Sequence, residues 1–238
     1  MENARDTRPG GNKMPVDPKR VALEAIAFVR GHLSAWRDDP DRPFEQSEPK
    51  LNAQLCDFLD SRARSLFPMV RFKHEELQFG RSSVDLSAKL AASMILETKA
   101  YSIYDPILVL ECKRLPAPSQ DREKEYVTGG KERKSGGIQR FKLGLHGADL
   151  ALVVMIGYVQ KRSAHEWHQD INKWIFELCS GMAEDGCDWT TNETLELLEE
   201  DAVKGISCCR SVHGRTNSSL SSEIEIHHLW IVINRQQS

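Results

Sequence analysis

The run Ile107-Leu108-Val109-Leu110 is apolar without a break and passes directly into Glu111-Cys112-Lys113. In an extended chain residues two apart share a face, so Glu111 and Lys113 project together while Cys112 turns into the core. A carboxylate beside an ammonium at the end of a buried strand is costly to desolvate unless the pair has a partner or a task. One such task is phosphodiester hydrolysis. A hard divalent cation such as Mg2+ or Mn2+ takes oxygen ligands from one or two carboxylates and from the substrate phosphate. A lysine then orients the attacking water or stabilises charge growing in the transition state. A second carboxylate is needed. Asp85, in Arg81-Ser82-Ser83-Val84-Asp85-Leu86, lies in the preceding strand region, with enough chain between for a hairpin that brings it beside Glu111. The plain alternatives are a surface ion pair for Glu111 and Lys113, and a turn cap for Asp85.

The same pattern occurs a second time. Met94-Ile95-Leu96-Glu97-Thr98-Lys99 also sets Glu-x-Lys after apolar residues, so a competing site would combine Asp85, Glu97 and Lys99. The strand ending in Glu111 is the more apolar of the two and is preferred. From Glu111 to Lys142 there are nine basic and five acidic residues, a stretch able to attract a polyanion or simply to form a solvated loop and helix face. Tyr126, Lys131, Arg133 and Lys134 lie in a loop that could close on a nucleic-acid backbone, where such side chains give affinity without sequence specificity. Ser211-Val212-His213-Gly214-Arg215 reads as an ordinary loop or a phosphate contact. His227-His228, inside an apolar strand, reads as structural.

These side chains need elements to position them. Asp17-Pro18 opens a helix with Val21, Ala25, Phe28 and Val29 on one face, and it stops in Asp38-Asp39-Pro40. Ser47 caps a second helix to Phe67, with Leu51, Leu55, Phe58, Leu59, Ala63 and Leu66 as its stripe. Strands are expected over 72–79, 82–90, 93–100, 107–113, 148–159, 206–213 and 224–233. Helices are expected over 136–146 and 167–179, and a short one over 195–203. This order predicts an α/β fold, a central mixed β-sheet flanked by helices. Residues 1–17 read as a disordered tail and 18–238 as a single domain.

Asp85 followed by Ile-Leu-Val-Leu-Glu111-Cys-Lys113 resembles the PD-(D/E)XK nuclease superfamily, the restriction-endonuclease-like fold. Val84 stands where the family's literal motif has proline. Glu48, on the helix before the sheet, is similar to a glutamate that members place there. Gly136-Gly137-Ile138-Gln139-Arg140-Phe141 is similar to the helix whose Gln or Arg approaches the site. The likeness spans residues 47–159. It implies a Mg2+- or Mn2+-dependent nuclease acting on nucleic acid, chiefly DNA, in restriction, repair or phage defence. Asp85, Glu111 and the Cys112 carbonyl would hold the metal, and Lys113 would position or activate water. Glu48 would support a metal-bound water and Gln139 would orient the site. Lys131, Arg133, Lys134 and Arg140 would contact the nucleic acid. Read without the likeness, Glu48 is a first-turn carboxylate at a helix dipole and Gln139-Arg140 a solvent-facing pair.

Composition narrows the rest. With 238 residues, 40% hydrophobic and 28% charged, the chain can bury a core without disulfides or structural metal. No apolar stretch reaches the ~18 residues of a membrane span, and the polar first twenty residues lack a signal-peptide core, so a cytoplasmic protein is expected. Six cysteines without C-x-x-C or zinc spacing read as reduced thiols. There is no Gly-x-Gly-x-x-Gly, Walker loop or Gly-x-Ser-x-Gly elbow, and no helix-turn-helix or zinc finger for base readout. Cutting two strands needs two sites, so a homodimer or a partner protein is an open expectation.

Overall fold

The computed structural model describes residues 16–78, 83–130, 133–181, 184–216 and 222–233. All but two residues of the expected tail, and also Lys131, therefore lie outside the described residues. The helices are α1 (Pro18–Arg37), α2 (Glu48–Leu66), α3 (Gly137–Lys142) and α4 (Ala164–Ser180). The strands are β1 (Val70–Leu77), β2 (Ser83–Leu90), β3 (Met94–Leu96), β4 (Lys99–Tyr101), β5 (Pro106–Leu115), β6 (Leu152–Val159), β7 (Glu196–Asp201), β8 (Ile206–Gly214) and β9 (Glu223–Val232). Seven strands form one mixed sheet in the order β1-β2-β5-β6-β9-β8-β7. Its centre, β5-β6-β9, is parallel and its flanks are antiparallel.

The central strands are near-continuous apolar runs because both faces are covered. All of β6 is buried. On one face α1 and α2 pack Val29, Leu33, Leu51 and Leu55 against Leu86, Leu110 and Ile156. On the other, α3 and α4 pack Ile138, Phe141, Ile171 and Trp174 against Val109, Val153 and Met155. A side chain at Gly157 would collide with the Trp230 indole, so only glycine fits there.

Asp17 caps α1 by accepting the Lys19 N–H at 2.8 Å. Ser47 stands at the cap of α2 but makes no side-chain cap bond; the Glu45 carboxylate takes the Gln46 and Ser47 N–H groups instead. Two expected elements differ. Residues 93–100 form no single strand but the tips of a separate two-stranded ribbon, β3-β4. Residues 196–201 are a strand, not a helix: β7 is an exposed sheet edge with neither face buried, so no alternation marks it in the sequence.

A buried polar line ties the α3/α4 face together. The Trp230 Nε1–H donates to the Tyr126 hydroxyl at 2.8 Å, which meets His228 Nδ1 at 2.8 Å. His228 Nε2 and His213 Nε2 both lie 2.7 Å from Ser211 Oγ. His213 Nδ1 faces Glu193 Oε2 at 3.4 Å, and Lys142 of α3 donates to both Glu193 oxygens at 2.6 and 2.7 Å. Tyr126 is thus a core residue rather than part of a substrate loop, and His227-His228 has the structural role expected of it.

Candidate active site

The ladder between β2 and β5 ends at the pair Leu86–Leu110. Continuing that register by one residue sets Asp85 opposite Glu111. Beyond this point the β2-facing edge of β5 has no strand partner, and two carboxylates take its N–H groups. Asp85 Oδ2 accepts from Cys112 N at 2.7 Å, and Glu48 Oε2, from the first residue of α2, accepts from Arg114 N at 3.0 Å. A strand residue directs its N–H and C=O to the same edge, so the Cys112 carbonyl lies on this edge as well. The Cys112 thiol turns to the opposite layer beside Tyr158, and burial pushes its pKa well up.

Glu111 and Lys113 project together, as the two-residue spacing requires. Lys113 Nζ stands 2.8 Å from Glu111 Oε1 and 3.5 Å from Glu48 Oε1. Arg140 of α3 brings Nη1 to the same Glu111 oxygen at 2.7 Å, while its Nε donates to the Lys134 carbonyl at 3.1 Å. His146 Nδ1 lies 3.0 Å from Glu111 Oε2, close but not aligned as a hydrogen bond. Glu111 and His146 are fully buried and Lys113 nearly so.

Three charges shape one another here. Burial and the neighbouring Glu111 charge push the Asp85 carboxyl up to about 7. Complete burial also pushes Glu111 up, but Lys113, His146 and Arg140 outweigh it and hold Glu111 well below the usual carboxylate range. Burial lowers Lys113, yet Glu111, Glu48 and Asp85 together raise it well above an ordinary lysine. These three carboxylates favour the charged ammonium through the neutral range.

Compared with models of protein families, with curated proteins and with solved structures, the chain matches none.

The residues present fit a hard divalent cation. Asp85, Glu111 and the Cys112 carbonyl offer oxygen ligands, and Glu111 Oε2 is buried with no hydrogen-bond partner. Among the described residues, however, no three of His, Cys, Asp and Glu stand together as a ready cage.

The other expected residues fall into two groups. Asp85, Glu111, Lys113 and Glu48 come together. Gln139 does not join them: its Oε1 accepts from Gly129 N and Gly136 N at 3.0 and 3.2 Å, and its Nε2 donates to the Asp185 carbonyl at 2.9 Å. It closes the start of α3 from one side only, taking the Gly136 N–H, since Gly136 has no side chain to return a bond. Neighbours on a helix point about 100° apart, so when Gln139 faces the loop Arg140 faces Glu111. Arg133 is exposed and 3.7 Å from Asp121, and Lys134 is exposed too. A cleft of about 300 Å³ runs along this loop, lined by charges of both signs: Arg122, Lys124 and Arg133 with Asp121, Glu123 and Glu125. Glu97 and Lys99 are exposed at the β3-β4 ribbon, off the main sheet. Ser211 and His213 are buried in β8, and Arg215 donates to the Gly147 and Leu150 carbonyls, so this segment is framework.

His146 carried no signal in the sequence reading. It follows α3 in Gly144-Leu145-His146-Gly147, where Gly147 takes φ +56° and turns the chain back. Gly147 N donates to Gln78 Oε1 at 3.0 Å, which anchors that turn.

Proposed function

We propose that the chain is a Mg2+- or Mn2+-dependent phosphodiesterase acting on nucleic acid, DNA first, in the cytoplasm, with a site of the PD-(D/E)XK nuclease kind. The observation that carries this reading is the meeting of Asp85, Glu111, Lys113 and Glu48 at the partner-free edge of β5. Asp85, Glu111 and the Cys112 carbonyl would hold the ion. Bound there, it would supply Lewis acidity to a phosphate oxygen and a more acidic water.

The chain's own groups divide the remaining work. Lys113, held charged by three carboxylates, stabilises negative charge developing on the phosphoryl oxygens and orients water. Glu48 steers that ammonium with one oxygen while its other oxygen fixes the strand. The Arg140 side chain is 27% exposed, so it can leave Glu111 for a substrate phosphate. Arg133 and Lys134 stand exposed beside it for the nucleic-acid backbone.

A second reading has its own support. The site is closed and its charges are already balanced by Lys113 and Arg140. That suits a nuclease-like fold that binds nucleic acid, or assembles with a partner, without cutting.

Cleavage of supercoiled and linear DNA with Mg2+ or Mn2+ separates the two. Asp85→Ala, Glu111→Ala and Lys113→Ala should each lower cutting by about 100-fold or more, with Glu97→Ala unchanged. Cutting that survives all three substitutions would sink the proposed site. DNA retention without cutting by the wild type would favour the binding reading.

A further inference from the structure

Glu111 distributes its partners unevenly. Oε1 receives both Lys113 and Arg140, while buried Oε2 has no hydrogen-bond partner. Facing it is His146, equally buried, with neither ring nitrogen hydrogen-bonded and Nδ1 3.0 Å from Oε2. Buried polar atoms are nearly always paired, so three adjoining orphans point to a missing ligand.

The separation says which kind. A water about 2.8 Å from both atoms would see them about 65° apart, too narrow for two good hydrogen bonds. An octahedral ion about 2.1 Å from each would see them about 90° apart, the angle between neighbouring ligands. We propose that His146 Nδ1 and Glu111 Oε2 form one edge of the divalent-cation site, giving the ion a nitrogen ligand. This rests on the metal-dependent reading above and deepens it.

Two consequences follow from the chemistry of the donors. Imidazole favours transition ions over Mg2+, so the site takes Mn2+ ahead of Mg2+. Glu111 already meets two cations, so loading drives Arg140, the partly exposed one, off the carboxylate.

The test is pulsed electron paramagnetic resonance of Mn2+ bound to the wild-type protein, with natural-abundance and 15N-histidine labelling, alongside His146→Ala. The expected result is a nitrogen coupling that changes with the label and vanishes in His146→Ala, with Mn2+ bound at least tenfold more weakly. Using the wild type for the labelling arm keeps the test valid if the variant does not fold. Mn2+ bound without nitrogen coupling overturns the inference and leaves a carboxylate-only metal site standing. A coupling that persists in a folded His146→Ala also overturns it. Failure of the protein to bind either Mn2+ or Mg2+ removes the inference and the metal-dependent reading together.

Discussion

Asp85 and Glu111 sit side by side yet respond to pH in opposite ways. The Asp85 carboxyl rises from 3.8 to about 7 on folding, so between those values the folded protein binds more protons than the unfolded chain. Stability from this group is therefore full below about pH 4 and lost as pH rises through 7. Glu111 is depressed, so its contribution is present above the ordinary glutamate range and is shed only in strong acid. Asp85→Asn keeps an oxygen for the Cys112 N–H and removes the charge. In metal-free protein it should add on the order of 2 kcal/mol at pH 8, after allowance for partial exposure. That corresponds to a Tm gain of about 4–8 °C, which should disappear at pH 4. Thermal melts at the two pH values check it; an equal or lower Tm at pH 8 would show that Asp85 carries no such burden. Glu111 offers no such clean substitution, because its removal leaves two cations, Lys113 and Arg140, without the carboxylate they share.

At the scale of elements, α3 is six residues long and is held by polar contacts rather than by its own hydrogen bonds. Gln139 secures the loop before it, Arg140 the site, and Lys142 the buried polar line through Glu193. One direction along that line gives every group a partner: Tyr126 accepts from Trp230 and donates to His228 Nδ1, His228 Nε2–H donates to Ser211, and Ser211 donates to His213 Nε2. Ser211→Ala breaks the line and leaves two ring nitrogens unmet, which should cost about 1–3 kcal/mol in a denaturant titration; a neutral result would mean that water replaces the hydroxyl. Elements with a buried stripe were legible in the sequence: α1, α2, β5 and β6 each carry the period their packing demands. β7 was not, because it packs on nothing, and β3-β4 was not, because a tight ribbon off the sheet reads as one strand. In the site, Glu-x-Lys after an apolar run was legible since strand geometry alone fixes which side chains share a face. Gln139 and His146 were not, because which face of α3 meets β5, and where the chain turns at Gly147, depend on contacts across the fold.

Over the whole molecule, one sheet separates two layers with different chemistry. The α1/α2 layer is almost wholly apolar, whereas the α3/α4 layer holds the site and the buried polar line. Burial lowers the pKa of His213 and lowers that of His228 well below 6.5. The folded protein therefore binds fewer protons there than the unfolded chain, so stability falls as pH drops through the ordinary histidine range. Asp85 acts in the opposite sense over the same window, so the measurement belongs in the Asp85→Asn background. There, denaturant midpoints should decline from pH 7.5 to 5.5, and adding His228→Asn should remove part of that slope; no decline in that background would show that the two rings keep an ordinary histidine pKa in the core. Among the described residues no helix is long and apolar enough to cross a membrane.

The amides of Cys112 and Arg114 belong to the most enclosed part of the sheet, yet neither is tied to a neighbouring strand on that edge. Their bonds run to side chains from β2 and α2. That strand thus has a seam stitched by the same two carboxylates that line the candidate site. Any motion of Asp85 or Glu48 is also a local loosening of the backbone, so the scaffold's rigidity and the site's readiness are one variable at that point rather than two.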